Sequence, residues 1–199
     1  MTEPAKPGAY ELVKTETLYE GRIITLVKDT VAMPEGGDSV REVVRHIGAV
    51  AIAAVDDEGR VVLVRQYRHP VGGYLWELPA GLRDEDGEPP LETAKRELAE
   101  EAQLAAGRWS LLTTIYSSPG FSDEQVLVYL AEELSDVDRP EGFTVEHEEA
   151  DMTLERVPLA DAVQRVFDGE IRNASAVVGL LAAAQVRAAS PRLRPADAD

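Results

Sequence analysis

Gly81-Leu-Arg-Asp-Glu-Asp-Gly-Glu-Pro-Pro-Leu-Glu-Thr-Ala-Lys-Arg-Glu-Leu-Ala-Glu-Glu-Ala-Gln-Leu104 is the stretch that decides the fold. A turn-rich acidic loop leads into a helical pattern. At 100° per residue, Glu97, Glu100 and Glu101 fall within about 100° of one another on the helix surface. Leu91, Ala94, Leu98, Ala102 and Ala105 form a separate apolar stripe suited to a core. Crowded carboxylates repel unless positive charge sits among them, and a hard divalent cation with oxygen ligands, Mg²⁺ above all, is the natural counter-charge. Arg96 reads as structural: on the wheel it points away from Glu97 and could hold Glu88 or a loop carbonyl.

The segment resembles the Nudix box, Gly-x5-Glu-x7-Arg-Glu-U-x-Glu-Glu-x-Gly-U, with U a bulky apolar residue. Glu88, Arg96-Glu97-Leu98-Ala99-Glu100-Glu101 and Leu104 match. Two positions depart: six residues separate Gly81 from Glu88, and Gln103 stands where the pattern has Gly. The insertion falls in a loop that can absorb it. The absent Gly suggests a helix continuing over Pro89–Ala106, with Gly107 as its left-handed stop.

Outward from the box, Gly48–Val55 and Val61–Arg68 are near-continuous apolar runs joined by an Asp-Asp-Glu-Gly turn, hence buried strands. Tyr10–Leu18 and Arg22–Met33 read as a hairpin, and Val40–His46 as a further strand. Tyr74–Leu82 is extended and broken by Pro79. Strands are expected at Trp109–Tyr116, Gln125–Glu132 and Met152–Val157, helices at Leu159–Asp168 and from an Asn173 cap to about Ala188. This order suggests an α/β fold, a mixed sheet between helical layers. The resemblance implies the Nudix α/β/α sandwich, preceded by a small N-terminal β element. The expected organisation is an N-terminal β-rich dimerisation element over 1–45, a hydrolase domain over 46–189 and a disordered tail over 190–199.

A chain of 199 residues with 44% hydrophobic content can bury a sizeable core. It has no Cys, so disulfides and thiolate metal sites are excluded. No apolar run reaches the roughly 18 residues of a membrane span, and the first residues lack the apolar centre of a signal peptide. A cytoplasmic protein is the expectation. The formal charge of −17 opposes binding to nucleic acid or an anionic membrane, yet not to a small anionic substrate met by local positive charge.

The resemblance also implies site residues. The metal ligands are Glu97, Glu101 and the Ala80 carbonyl, with Glu100 joining directly or through water. Pro79, which cannot donate a hydrogen bond, makes a carbonyl beside it available. Gln66-Tyr67-Arg68 and Trp76-Glu77-Leu78-Pro79-Ala80-Gly81 resemble strings of ADP-ribose pyrophosphatases. There Arg68 serves as a pyrophosphate clamp, its planar fork suiting phosphate oxygens. Glu77 contacts substrate or is a structural carboxylate, and Trp76 packs in the core or at a dimer contact. Pro119 lies fifteen residues beyond Leu104, and a proline about there separates ADP-ribose hydrolases from other members. Beside it, Ser122, Asp123 or Glu124 could meet ribose hydroxyls. The general base is expected in the acidic loop His147–Asp151: Glu149 first, Glu148 second, Glu100 next.

The implied activity is Mg²⁺-dependent hydrolysis of ADP-ribose to AMP and ribose 5-phosphate, Mn²⁺ being able to replace Mg²⁺, in a homodimer made through the N-terminal strands. The alternatives are another nucleoside diphosphate derivative, such as an ADP-sugar or an oxidised nucleotide, and a non-catalytic ADP-ribose sensor. The retained acids and the lack of a basic C-terminal helix speak against the sensor.

Overall fold

The computed structural model describes residues 10–140 and 151–197. The chain divides into two compact units: residues up to Ile47 together with Tyr116–Gln125, and Gly48–Ile115 together with residues from Val126 onward.

The first unit is a three-stranded antiparallel sheet of β1 (Leu12–Glu20), β2 (Ile24–Ala32) and β3 (Asp38–His46), in that order. The segment 116–125 attaches along β3. The Val44 N–H donates to the Phe121 carbonyl at 2.8 Å, and the Asp123 N–H to the Val44 carbonyl at 3.2 Å. Asp29, 4% exposed, accepts hydrogen bonds from Thr15 Oγ1 and Arg45 Nη2, each at 2.8 Å. Arg45 Nη1 reaches on to Asp123 at 3.1 Å. A buried carboxylate of this kind is tolerated because a charged donor satisfies it. Leu12, Val13, Leu18 and Tyr19 of β1 are all exposed.

The second unit holds β4 (Ala49–Ala54), β5 (Arg60–Arg68), β6 (Gly73–Glu77), β7 (Ala80–Leu82), β8 (Leu104–Tyr116), β9 (Gln125–Asp136), β10 (Thr153–Pro158) and β11 (Arg194–Pro195). Helices α1 (Pro90–Ala102), α2 (Leu159–Phe167) and α3 (Ala174–Ala189) accompany them. One sheet runs β10-β5-β6 and the other β11-β8-β9-β4-β7; the latter is mixed, with β4 parallel to β9 and antiparallel to β7. Side chains of β4 alternate between the layers. Val50, Ile52 and Ala54 pack with Ala94, Leu98 and Ala102 of α1, whereas Ala53 and Val55 pack with Leu180 of α3 and Ala162 of α2. The apolar run 48–55 is therefore a strand covered on both faces, the centre of an α/β/α sandwich. Asn173 caps α3, its Oδ1 accepting from the Ala176 N–H at 2.9 Å. Among the described residues no helix is long and apolar enough to cross a membrane.

Three expectations are corrected. The helix after the box does not run to Ala106: it stops at Ala102, and Gln103 itself takes the left-handed conformation, φ 54° and ψ 42°, which the pattern assigns to Gly. The cause is tertiary, because Leu104, 2% exposed, enters the core as the first residue of β8 and leaves no room for another turn. Ala105 consequently lies on β8 and not on the helical stripe. Third, part of the stretch expected to be disordered is paired, Arg194 and Pro195 aligning with Leu111 and Ser110.

A left-handed non-glycine residue costs on the order of 1 kcal/mol. Gln103→Gly is therefore expected to stabilise the protein by roughly 0.5–1 kcal/mol, since the side chain is exposed and its loss opens no cavity. Urea unfolding of the two proteins checks this; a lower midpoint for the glycine variant would contradict it.

Candidate active site

The acids of α1 sit where the helix meets β7. The helix starts at Pro90, whose missing N–H costs nothing in the first turn. Ala94, Leu98 and Ala102 bury their side chains against β4, which turns Glu97 and Glu101 towards the strand carrying Ala80 and Gly81, while Glu100 meets Arg96. Glu97 lies on the backbone of β7: a Cβ built on Gly81 would run into the Glu97 carboxyl group. Glycine is needed there for close approach. Glu101 is 7% exposed, and its Oε2 accepts the Ala80 N–H at 3.0 Å.

Arg96 is the cation among these acids. Its Nη1 donates to Glu97 Oε1 at 2.8 Å and to Glu100 Oε2 at 3.2 Å; its Nε and Nη2 donate to Glu88 at 3.4 and 3.2 Å. Asp84 and Glu85 lie at 3.7 and 3.9 Å. The wheel argument that turned Arg96 away from Glu97 is corrected, because the long side chain folds back across one residue; the expected contact with Glu88 is present. Glu88 also accepts from Thr93 Oγ1 at 2.8 Å. Burial pushes the Glu88 carboxyl up, but the hydrogen bonds from Arg96 and Thr93 outweigh it and leave the group below its usual range. Glu97 goes the other way. Burial raises its carboxyl to about 7, against the pull of Arg96 and with repulsion from Glu100 and Asp84.

As placed, no three acids among the described residues converge on one point. Arg96 stands between Glu97 and Glu100, and the Ala80 N–H draws Glu101 aside. The donor set is nonetheless entirely hard oxygen, and it contains a carboxyl that one guanidinium does not fully compensate, which is the chemistry a hard divalent cation needs. What joins Ala80 to the acids here is its N–H, while the Pro79 carbonyl accepts from the Ile52 N–H at 2.8 Å.

Arg68 closes β5 and directs Nε and Nη2 to the two oxygens of Glu77, at 2.9 and 2.7 Å. Glu77 is 2% exposed, so in this structure it is the buried anchor of Arg68. Trp76 packs against the core, with the Arg165 guanidinium 5.8 Å from its ring centre. Pro119, Ser122 and Asp123 belong to the segment that joins the N-terminal sheet. There Asp123 Oδ1 accepts the His46 N–H at 2.9 Å, and Ser122 Oγ accepts the Glu124 N–H at 3.1 Å. His147, Glu148 and Glu149 lie outside the described residues.

The Glu97 carboxyl binds its proton more tightly folded than at its usual value of 4.5. Its contribution to stability is thus fully present below about 4.5 and is lost as pH rises through about 7. At roughly 1.4 kcal/mol per pH unit, metal-free protein is expected to gain up to about 3 kcal/mol between pH 7.5 and 4.5 from this group. Thermal unfolding in EDTA reads it. Glu97→Gln is expected to flatten the profile in that window, and an unchanged profile would contradict the assignment.

With this geometry in view, the similarities to known proteins are specific. The NUDIX domain family matches residues 44–176. An ADP-ribose pyrophosphatase of Mycobacterium tuberculosis is 51% identical over 190 residues, 96% of this chain and 90% of that protein. An ADP-ribose pyrophosphatase of Bacillus subtilis is 40% identical over 81% of this chain and 85% of its own length. A solved structure described as an ADP compounds hydrolase superposes with a TM-score of 0.76 at 22% identity, covering 94% of this chain and 98% of that one, and it shares the fold. The chain belongs to the Nudix family and is a pyrophosphohydrolase of nucleoside diphosphate derivatives.

Proposed function

We propose that the substrate is ADP-ribose, hydrolysed to AMP and ribose 5-phosphate in the presence of Mg²⁺, with Mn²⁺ able to replace it. The observation that carries the metal reading is the half-buried Glu97 carboxyl on Gly81, under-compensated by Arg96 and flanked by Glu100 and Glu101. The substrate reading is supported by the two ADP-ribose pyrophosphatases that resemble this chain over most of its length, and by Pro119. Divalent-metal dependence is general among Nudix hydrolases.

Glu97, Glu100 and Glu101, with the Ala80 carbonyl, would hold the metal, Glu97 and Glu100 releasing Arg96 to do so. When bound, the metal supplies charge for the leaving phosphate and acidifies the attacking water. Arg68, held by Glu77, offers donors to the pyrophosphate. Glu149 takes the proton of the attacking water, with Glu148 and then Glu100 as alternatives, and Ser122 or Asp123 meets the ribose.

The test is a panel of ADP-ribose, ADP-sugars and oxidised nucleotides with Mg²⁺, products resolved by chromatography. AMP from ADP-ribose, abolished by EDTA, is expected. Glu97→Gln and Glu101→Gln should each cost at least about 100-fold in rate, and Glu149→Gln should lower turnover while sparing ADP-ribose affinity. Full turnover after exhaustive EDTA treatment would refute the metal, and preference for another diphosphate would refute the substrate.

The assembly we propose is a homodimer formed through the N-terminal strands, supported by the exposed apolar residues of β1. Light scattering at micromolar concentration should give twice the 21.7 kDa chain mass; a monomer would rule it out.

A further inference from the structure

Arg83 follows directly on β7. Its N–H donates to the Gly48 carbonyl at 3.1 Å, so the ladder with β4 continues one rung past Leu82. Side chains alternate along a strand. Gly81 faces the Glu97 carboxyl, and Arg83, two residues on and roughly 7 Å further along, leaves the backbone on that same side. Its cross-strand partners agree, since Gly81 lies opposite Val50, which packs against Leu98 of α1.

The surroundings are the most acidic part of the chain, with Asp84, Glu85, Asp86 and Glu88 within five residues. Arg96 collects ion pairs with four of the local acids besides Glu97. Arg83, half-buried, forms none among the described residues, and its Nε is the one buried side-chain polar atom among them without a hydrogen-bond partner. A buried donor of a charged group left unpaired lowers stability. An arginine that pairs with none of the carboxylates close to it in sequence and keeps a desolvated donor costs the fold something, and such a group is characteristic of a place where an anionic ligand completes the bonding.

We propose that Arg83 is a further phosphate-binding residue of this enzyme, donating from its guanidinium to an oxygen of the substrate diphosphate beside Glu97. It supplies positive charge from the strand side of the site, where Glu97, Glu100 and Glu101 supply only negative. The inference deepens the proposed function and rests on the same site being the one that cleaves a diphosphate.

The experiment compares wild type, Arg83→Leu and Arg83→Lys as full chains. Thermal unfolding is measured without ligand, AMP binding by calorimetry, and ADP-ribose kinetics with Mg²⁺. Arg83→Leu should unfold at the same or a higher temperature than wild type, because an unpaired buried donor is removed. It should also bind AMP roughly tenfold more weakly and raise KM more than it lowers kcat, as loss of one charge-assisted hydrogen bond does. Arg83→Lys should recover part of the affinity. Independently of any variant, the Arg83 Nε–H resonance of the wild type should move when AMP is added. A lower unfolding temperature with unchanged AMP affinity would make Arg83 structural and overturn the proposal, as would an unmoved Nε resonance at saturating AMP. AMP binding that depends on Arg83, in a wild type that leaves ADP-ribose intact, would sink the ADP-ribose reading and leave this one standing.

Discussion

The contact between the Glu97 carboxyl and the bare Cα of Gly81 is the constraint around which the hydrolase unit is arranged. For α1 to come that close to β7, the layer between them has to be thin. The closest residues there are small, Gly81 on the strand and Ala94 and Ala102 on the helix, with Leu98 packing between Val50, Ile52 and Ala54 of β4. Larger side chains at these positions would lift the helix and withdraw its acids from the strand. The same closeness buries Glu101 and half-buries Glu97. A carboxylate loses hydration as the helix seats, and Glu97 answers by holding its proton to about pH 7.

Several sources of negative potential coincide at this point. Glu97, Glu100 and Glu101 lie in the last two turns of α1, where the helix dipole is itself negative, and no basic residue stands in the last turn to offset it. Arg96 is the local response, and it is divided: one guanidinium serves Glu88, Glu97 and Glu100 and is approached by Asp84 and Glu85. Glu88 obtains enough of it, with Thr93, to titrate below the usual carboxylate range, while Glu97 does not. The two carboxyls therefore differ through burial and hydrogen bonding, although both belong to the same motif.

Much of this was legible in the sequence, and the parts that were not share a cause. Apolar runs at 48–55 and 61–68, the Asn173 cap and the register of the acids on α1 depend on local pattern, and each appears in the structure. The end of α1 depends on what Leu104 does in the core, and no local signal at Gln103 records that; a non-glycine residue at φ 54° is visible only once the strand after it is in place. The Arg96–Glu97 contact is hidden from the sequence for another reason, since a helical wheel describes Cβ directions and ignores the reach of a long side chain. Arg194–Pro195 pairs through two residues only, too short for any periodicity. Glu77 reads from sequence as a substrate contact or a structural carboxylate, and its pairing with Arg68 is visible only in the structure, because the sequence string does not say what an acid faces.

Three arginines of the hydrolase unit illustrate how a protein of charge −17 distributes scarce positive charge. Arg68 is committed: two of its nitrogens hold a carboxylate that is 2% exposed, and swinging it away would leave a buried ion unpaired, which generally costs several kcal/mol. It can therefore meet a ligand only from where it stands. Arg96 is shared, so that no single carboxylate owns it, and its partners span the acidic loop and the helix. Arg83 is uncommitted among the described residues. Fixed charge favours preorganised recognition, because no reorganisation is needed when the ligand arrives. Shared charge tolerates a competing cation, because each acid loses only part of its compensation when the guanidinium shifts. Uncommitted charge gains most from an anion, because it has no bond to give up first. In a molecule with so few cations near its acids, the number of partners each arginine already has is the physical guide to what it has left to offer.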